Sequence, residues 1–221
     1  MILYVDGDSY STPGFCVKKD QSYWSLFGQH VKADSIVNYA YGGKSPEGMI
    51  RSAVRFAIEN PDQDIFFLLG FGPLERFDVG FQIDSRDNPN PAEQGISSNP
   101  FSVEKERVIG HVSSLSEANF YSNLILLGNF LDIKGFKYMF HYMSVPLKRT
   151  QSSMLTSLRN EIDKNPRIVN LFEDTYFVHG IKNKIKPVDF DEYGWIGHHG
   201  WQVNELYGDY LIQHYQKLYA K

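Results

Sequence analysis

Asp6, Gly7, Asp8 and Ser9 place two carboxylates, a glycine and a hydroxyl within four residues, and His198 and His199 stand side by side near the C-terminus. Serine catalysis needs a base within hydrogen-bonding reach of the hydroxyl and a third group that orients the base. These residue types lie at opposite ends of the chain, an arrangement that a doubly wound sheet permits. Taken locally, residues 6–9 also read as a turn or helix cap made of small polar residues. Asp6 and Asp8 could begin a metal pair, yet no further ligands follow at motif spacing, and Asp8 reads better as the residue that ties down its own loop. Gly42-Gly43-Lys44-Ser45 superficially resembles the end of a phosphate-binding loop but lacks its full spacing, so nucleotide binding is not expected. His30, His111, His141, His179 and His214 occur singly and read as structural or surface residues.

The elements that must position this chemistry follow an alternating pattern. Residues 2–5 form a short apolar run that reads as a buried strand, halted by the Asp6–Ser9 cluster. Further strands are expected at 35–39, 64–69, 136–143 and 167–172, with 176–178 extending or following the last. The run at 64–69 is continuously apolar, as in a strand covered on both faces. Helices are expected at 22–31, at 47–59 with Pro46 in the first turn, at 103–132 as one bent helix or two, at 152–163 and at 204–219. Residues 180–195 read as loop. Strands that empty into glycine-containing loops, with helices between them, indicate an α/β fold with a mostly parallel doubly wound sheet. Ligands in such folds collect outside the carboxyl ends of the strands, which is where Ser9 falls. Residues 77–101, rich in Pro, Asn, Asp and Ser, read as an excursion without regular structure.

Bulk composition narrows the function classes. At 221 residues the chain suits one sizeable core, so a single domain over 1–221 is expected. A net charge of −4 without a basic block argues against sustained nucleic-acid binding. The lone Cys16 excludes an internal disulfide and a cysteine-based metal cluster. No apolar run approaches a spanning helix and no leader pattern opens the chain, so a cytoplasmic protein without membrane insertion is expected. Aromatics reach 15%, enough for a tightly packed interior and an aromatic-lined groove. Tyr10, Tyr41, Phe71, Trp195 and Trp201 fall in or near the loops of interest and suit an apolar acyl group or a sugar face. No cofactor is implied, and nothing identifies an oligomeric partner.

Several blocks together resemble a known family. Gly7-Asp8-Ser9 resembles the first block of the SGNH (GDSL-like) hydrolases. Residues 38–45 (NYAYGGKS) resemble the second, with Gly43 at its glycine. Residues 69–77 (LGFGPLERF) stand at the third and look like the variant ending in Arg-Phe seen in phage-associated members. The histidine pair precedes the last helix, as in the final block, and Gly208 matches its small-residue position when His198 is aligned. A one-residue insertion would favour His199.

The resemblance implies a three-layer α/β/α sandwich of flavodoxin-like type and esterase or lipase activity, including deacetylation of carbohydrates. It implies Ser9 as nucleophile, the Ser9 and Gly43 backbone N–H groups as oxyanion donors, and one of His198 and His199 as base. Two departures accompany it. Gly72-Pro73 replaces the third-block asparagine, for which Arg76 or a loop residue could substitute. No aspartate stands two or three residues before either histidine, leaving Asp191, with Asp189 near it, as the orienting carboxylate, or a backbone carbonyl in its place as in some members of the family. The expected substrate is a small ester or an acetylated carbohydrate. The departures motivate a rival reading, a catalytically inactive structural or binding protein of the same fold, virion-associated if phage-encoded.

Overall fold

The computed structural model describes residues 1–12, 18–42, 44–74, 78–79, 96–97, 105–144, 146–147, 153–185 and 200–219. Four parallel strands form its sheet: Ile2–Gly7 (β1), Ser35–Asn38 (β2), Ile65–Phe71 (β3) and Lys137–Tyr142, in the order β2-β1-β3 and then Lys137–Tyr142. Register is continuous from Ile2 opposite Ser35 and Ile65 to Gly7 opposite Gly70. The connections from β1 step one way to β2 and then back across β1 to β3. Their helices must therefore lie on opposite faces, given the single hand of such crossovers.

They do. Tyr23–His30 (α1) packs with Leu3, Val5, Phe66 and Leu68 on one face, joined by the last helix, Trp201–Tyr219. Pro46–Glu59 (α2), Lys105–Ile133 (α3) and Ser153–Asp163 (α4) cover the other, where Tyr4, Ile65, Phe67, Leu69 and Phe71 point. Alternate side chains of β3 thus enter two different cores, and for this reason its sequence is apolar without interruption. The result is a three-layer α/β/α sandwich. Among the described residues no helix is long and apolar enough to cross a membrane.

Within the excursion at 77–101, Asp78–Val79 (β4) pairs antiparallel with Ile96–Ser97 (β5), so part of it is regular; the sheet's fourth strand, Lys137–Tyr142, is accordingly β6. The helical stretch expected as one bent helix or two is the single 29-residue α3. Ser45 caps α2 by accepting from Gly48 N at 3.0 Å, with Pro46 in the first turn. Arg159 of α4 donates to Glu117 of α3 at 2.7 Å, a buried pair that ties these two helices together.

The strand expected at 167–172 is reduced to one bridge between Phe140 and Ile168. Asn170 ends it: its φ of 55° turns the chain, and its side-chain oxygen accepts from Tyr142 N at 2.8 Å, taking the place of a ladder carbonyl. Residues 176–178 do not extend that strand. They begin a helix, Tyr176–Lys182 (α5), because the Thr175 hydroxyl caps it at Val178 N. This helix also claims Gly180 to Lys182 from the expected loop. The last helix (α6) starts at Trp201, three residues before its expected start at 204.

His141 of β6 is wholly buried beneath α1 and α6. Asn170 donates to the Tyr207 hydroxyl at 2.6 Å, and that hydroxyl lies 3.0 Å from His141 Nδ1 and 3.5 Å from Tyr142 O. His141 Nε2 has no hydrogen-bond partner among the described residues. Burial pushes the imidazole down to about 3, so it is neutral in the folded protein over most of the pH range. The unfolded chain binds this proton near pH 6.5, so stability falls as pH drops from there toward 3. Chemical denaturation is expected to show a loss approaching ~1.4 kcal/mol per pH unit for this group. His141→Gln should flatten the slope of stability against pH over that window, whatever its own cost to stability.

Candidate active site

β1 is hydrogen-bonded on both edges and ends at Gly7, between the carboxyl ends of β2 and β3 where strand order reverses. The chain then winds tightly around Asp8. Ser11 N donates to Asp8 O at 2.9 Å, Thr12 Oγ1 to the same oxygen at 3.0 Å, and Tyr10 N to Asp8 Oδ1 at 3.1 Å. Asp8 is fully buried and Ser9 only 8% exposed. The winding requires a glycine at position 7, where a Cβ would lie 2.2 Å from Ser11 Oγ and 3.0 Å from Gly70 O. Across the switch point the Asp8 carboxylate rests against Gly72, whose Cβ would fall 2.3 Å from Oδ2. The third-block loop therefore lies beside the first, with Gly72 and Pro73 offering no side-chain donor.

The turn after β2 approaches from the other side. Backbone ladder bonds continue past the strand, from Tyr39 N to Val5 O at 2.9 Å and from Tyr41 N to Gly7 O at 3.3 Å. Asn38 secures the turn at both ends, donating to Ser11 O at 3.0 Å and accepting from Ala40 N at 2.8 Å. A Cβ on Gly42 would meet Ser9 Cβ at 3.9 Å, so this backbone runs in contact range of the serine. Gly43, Arg76, Asp191, Trp195, His198 and His199 lie outside the described residues.

The segment that follows the histidines is anchored at this end of the sheet. Asn204, near the start of α6, accepts from Tyr23 N at 3.0 Å and donates to Tyr176 OH at 2.9 Å and to Gly200 O at 3.2 Å. Tyr176 in turn packs its ring 5.3 Å from that of Tyr10, the neighbour of Ser9. Tyr23 closes the circuit through its hydroxyl, 2.6 Å from Ser11 Oγ. Gly208 of α6 faces Leu26 and the Tyr23 carbonyl of α1, where a Cβ would sit at an ordinary contact distance of 3.5 Å.

Of the aromatics expected to contact substrate, Tyr10 and Tyr41 are partly buried in the two loops around Ser9, and Trp201 is half-exposed at the head of α6. Phe71 is a correction. It is the last residue of β3 rather than part of the loop, is wholly buried, and packs edge-on to Phe120 and Phe140.

The sequence reading missed Asn204, which no motif marks. It also missed Lys44, whose ammonium reaches both Asp6 carboxylate oxygens at 2.7 Å. Burial pushes the Asp6 carboxyl above the usual carboxylate range, opposed by Lys44, Gly7 N–H and the Tyr4 hydroxyl. A signal was available: an aspartate inside a strand with both faces covered needs a cation or several donors. Asp6 is thus the ion-pair partner of Lys44.

Gly7→Ala and Gly72→Ala test this close packing. Each should cost about 1–3 kcal/mol in chemical denaturation, as overpacked sites do. Gly7→Ala should cost more, because its clash includes the Gly70 carbonyl of the sheet.

No protein-family model and no curated protein sequence matches the chain. Solved structures do. The structure of TesA aligns over 99% of this chain and 99% of its own, at 12% identity and a TM-score of 0.52. That of the acetyl xylan esterase AlAXEase aligns over 96% and 98%, at 11% identity and a TM-score of 0.50. At such identities the likeness concerns the fold. The match runs the length of both proteins, and the described architecture is the one implied by the Gly7-Asp8-Ser9 block. In fold, the chain is similar to these two structures.

Proposed function

We propose that the protein is a serine hydrolase of carboxylic esters, with an O-acetyl group on a carbohydrate as the leading substrate class. One observation carries the proposal. Ser9 follows the central strand at the switch point, with the Gly42 backbone in contact range and Asp8 holding the third-block loop alongside. Acyl transfer needs a hydroxyl nucleophile and backbone N–H donors close together, and this loop and the Gly42 turn supply both group types at the switch point. The fold shared with an acetyl xylan esterase adds support for the substrate class.

In the proposed reaction Ser9 Oγ attacks the ester carbonyl while His198 or His199 takes its proton. Negative charge develops on the carbonyl oxygen, facing the N–H groups of Ser9 and Gly43. The imidazolium, oriented by Asp191, returns the proton to the departing alcohol, and water then releases the acid by the reverse sequence. A third oxyanion donor is worth roughly 10²–10³ in rate; with Gly72-Pro73 in the usual place of the asparagine, that contribution falls to Arg76 or another loop residue. Tyr10, Tyr41, Trp195 and Trp201 would line the acyl or sugar side.

The same Gly72-Pro73 departure favours the rival reading, a non-catalytic structural or binding protein. The two separate on one measurement. Purified protein should hydrolyse p-nitrophenyl acetate, and Ser9→Ala should lower turnover at least ~10³-fold with an unchanged unfolding transition. Of His198→Ala and His199→Ala, one should match that loss and the other stay within a few-fold of wild type. Turnover that survives Ser9→Ala, or is absent from the wild-type protein, overturns the hydrolase reading; ligand binding without turnover would support the rival.

A further inference from the structure

We infer that Lys44 is a positioning residue: through its buried ion pair with Asp6 it holds the turn that carries Gly43 in register with β1 and Ser9. The inference rests on the hydrolase reading for its catalytic consequence and on the observed geometry for the clamp itself.

Two backbone N–H groups can serve one oxyanion only if their separation is fixed, and here the two come from different elements. Ser9 follows β1, whereas Gly43 sits in the turn between β2 and α2. In that turn Lys44 N donates to Tyr41 O at 3.3 Å. Lys44 sends its side chain back beneath the turn. Its ammonium donates to both Asp6 oxygens at 2.7 Å and to Tyr39 O at 3.1 Å, and stands 5.1 Å from the Tyr41 ring centroid.

The three ammonium protons therefore have three acceptors, all on β1 or on the turn. Asp6 is equally committed: Oδ1 also accepts from Gly7 N at 2.8 Å, and Oδ2 from Tyr4 OH at 3.0 Å. Lys44 is 3% exposed and Asp6 fully buried.

A pair this dry makes a poor source of net stability, since desolvation offsets most of the attraction. Its geometry is what distinguishes it. A fully satisfied buried network has one arrangement, and this one joins the oxyanion turn to the strand three residues before Ser9. Loss of the joint would leave the turn attached by backbone bonds and Asn38, free to shift by a fraction of an ångström or more. Misplacement of about 1 Å near reacting groups can cost ~10² in rate.

The test compares wild type, Lys44→Gln, and Asp6→Asn combined with Lys44→Gln, in which no buried charge is left unpaired. Amide hydrogen exchange should speed up in the peptides covering residues 39–45 in both variants, with exchange in β3 and β6 unchanged in the double variant. On p-nitrophenyl acetate, kcat should fall by ~10–10² with KM within about threefold. The double variant should regain the thermal stability lost by Lys44→Gln without regaining kcat.

Recovery of kcat together with stability would overturn the inference, since the effect would then be one of general stability. So would wild-type exchange across 39–45 in the double variant. Should Lys44→Gln not fold, the double variant alone decides. If the wild-type protein hydrolyses no ester, the hydrolase reading fails while the exchange measurement still judges the clamp.

Discussion

A strand paired on both edges and covered on both faces leaves its chain a single way out, and β1 is such a strand. β2 and β3 occupy its edges, α1 and α6 one face, α2 and α3 the other. The polypeptide must emerge at Gly7, where β2 and β3 send their connections in opposite directions and a crevice opens. The described groups around Ser9 are arranged about that exit. The winding after β1 is pressed against Gly70 of β3 and Gly72 just beyond it, and the Gly42 turn comes across from β2. The constraint acts before any catalytic residue is considered.

Burying the exit creates a second demand, because a tight polar winding carries many groups that need partners. The protein meets it largely with side chains from distant segments. Asn38 serves Ser11 and Ala40, Tyr23 serves Ser11, and Asn204 serves Tyr23, Tyr176 and Gly200. Tyrosine suits this task, since its ring fills core volume while its hydroxyl closes a hydrogen bond. Much of the unusual aromatic content is spent in this way around α1, α5 and α6, where Tyr23, Tyr176, Tyr207 and His141 stack edge to face. The aromatic richness thus serves the interior at least as much as any groove for substrate.

The legible and illegible parts of the sequence divide along the same line. β1, β2, β3 and β6 were readable to within two residues at either end, as were α1, α2 and α4, because apolar runs and periodicity are local properties. Residues 167–172 carried the apolar character of a strand, yet Asn170 adopted a left-handed turn and bonded Tyr142, an outcome that depends on a neighbouring strand. Phe71 looked like a loop aromatic because glycines flank it, although the pairing of Phe71 with Tyr142 continues the sheet through it. Residues 176–178 had strand-like composition, and a single threonine cap made them helical.

By itself, the sequence determined a parallel doubly wound sheet and put Ser9 at the mouth of its first strand. Both follow from patterns within a few residues: continuous apolar runs, glycine-containing loops and helical stripes between them. Tertiary structure alone decided which side chains meet there. Asp6 and Lys44 lie 38 positions apart, and Tyr23 and Asn204 lie 181 apart. Composition indicates that a buried aspartate needs a partner, but only the packing of α2 against β1 selects Lys44. Likewise, only the seating of α6 on α1 brings the segment after His198 and His199 to the end of the sheet where Ser9 emerges. Charge and hydrogen-bonding capacity are written residue by residue; the distances that turn them into a site are set when the layers close.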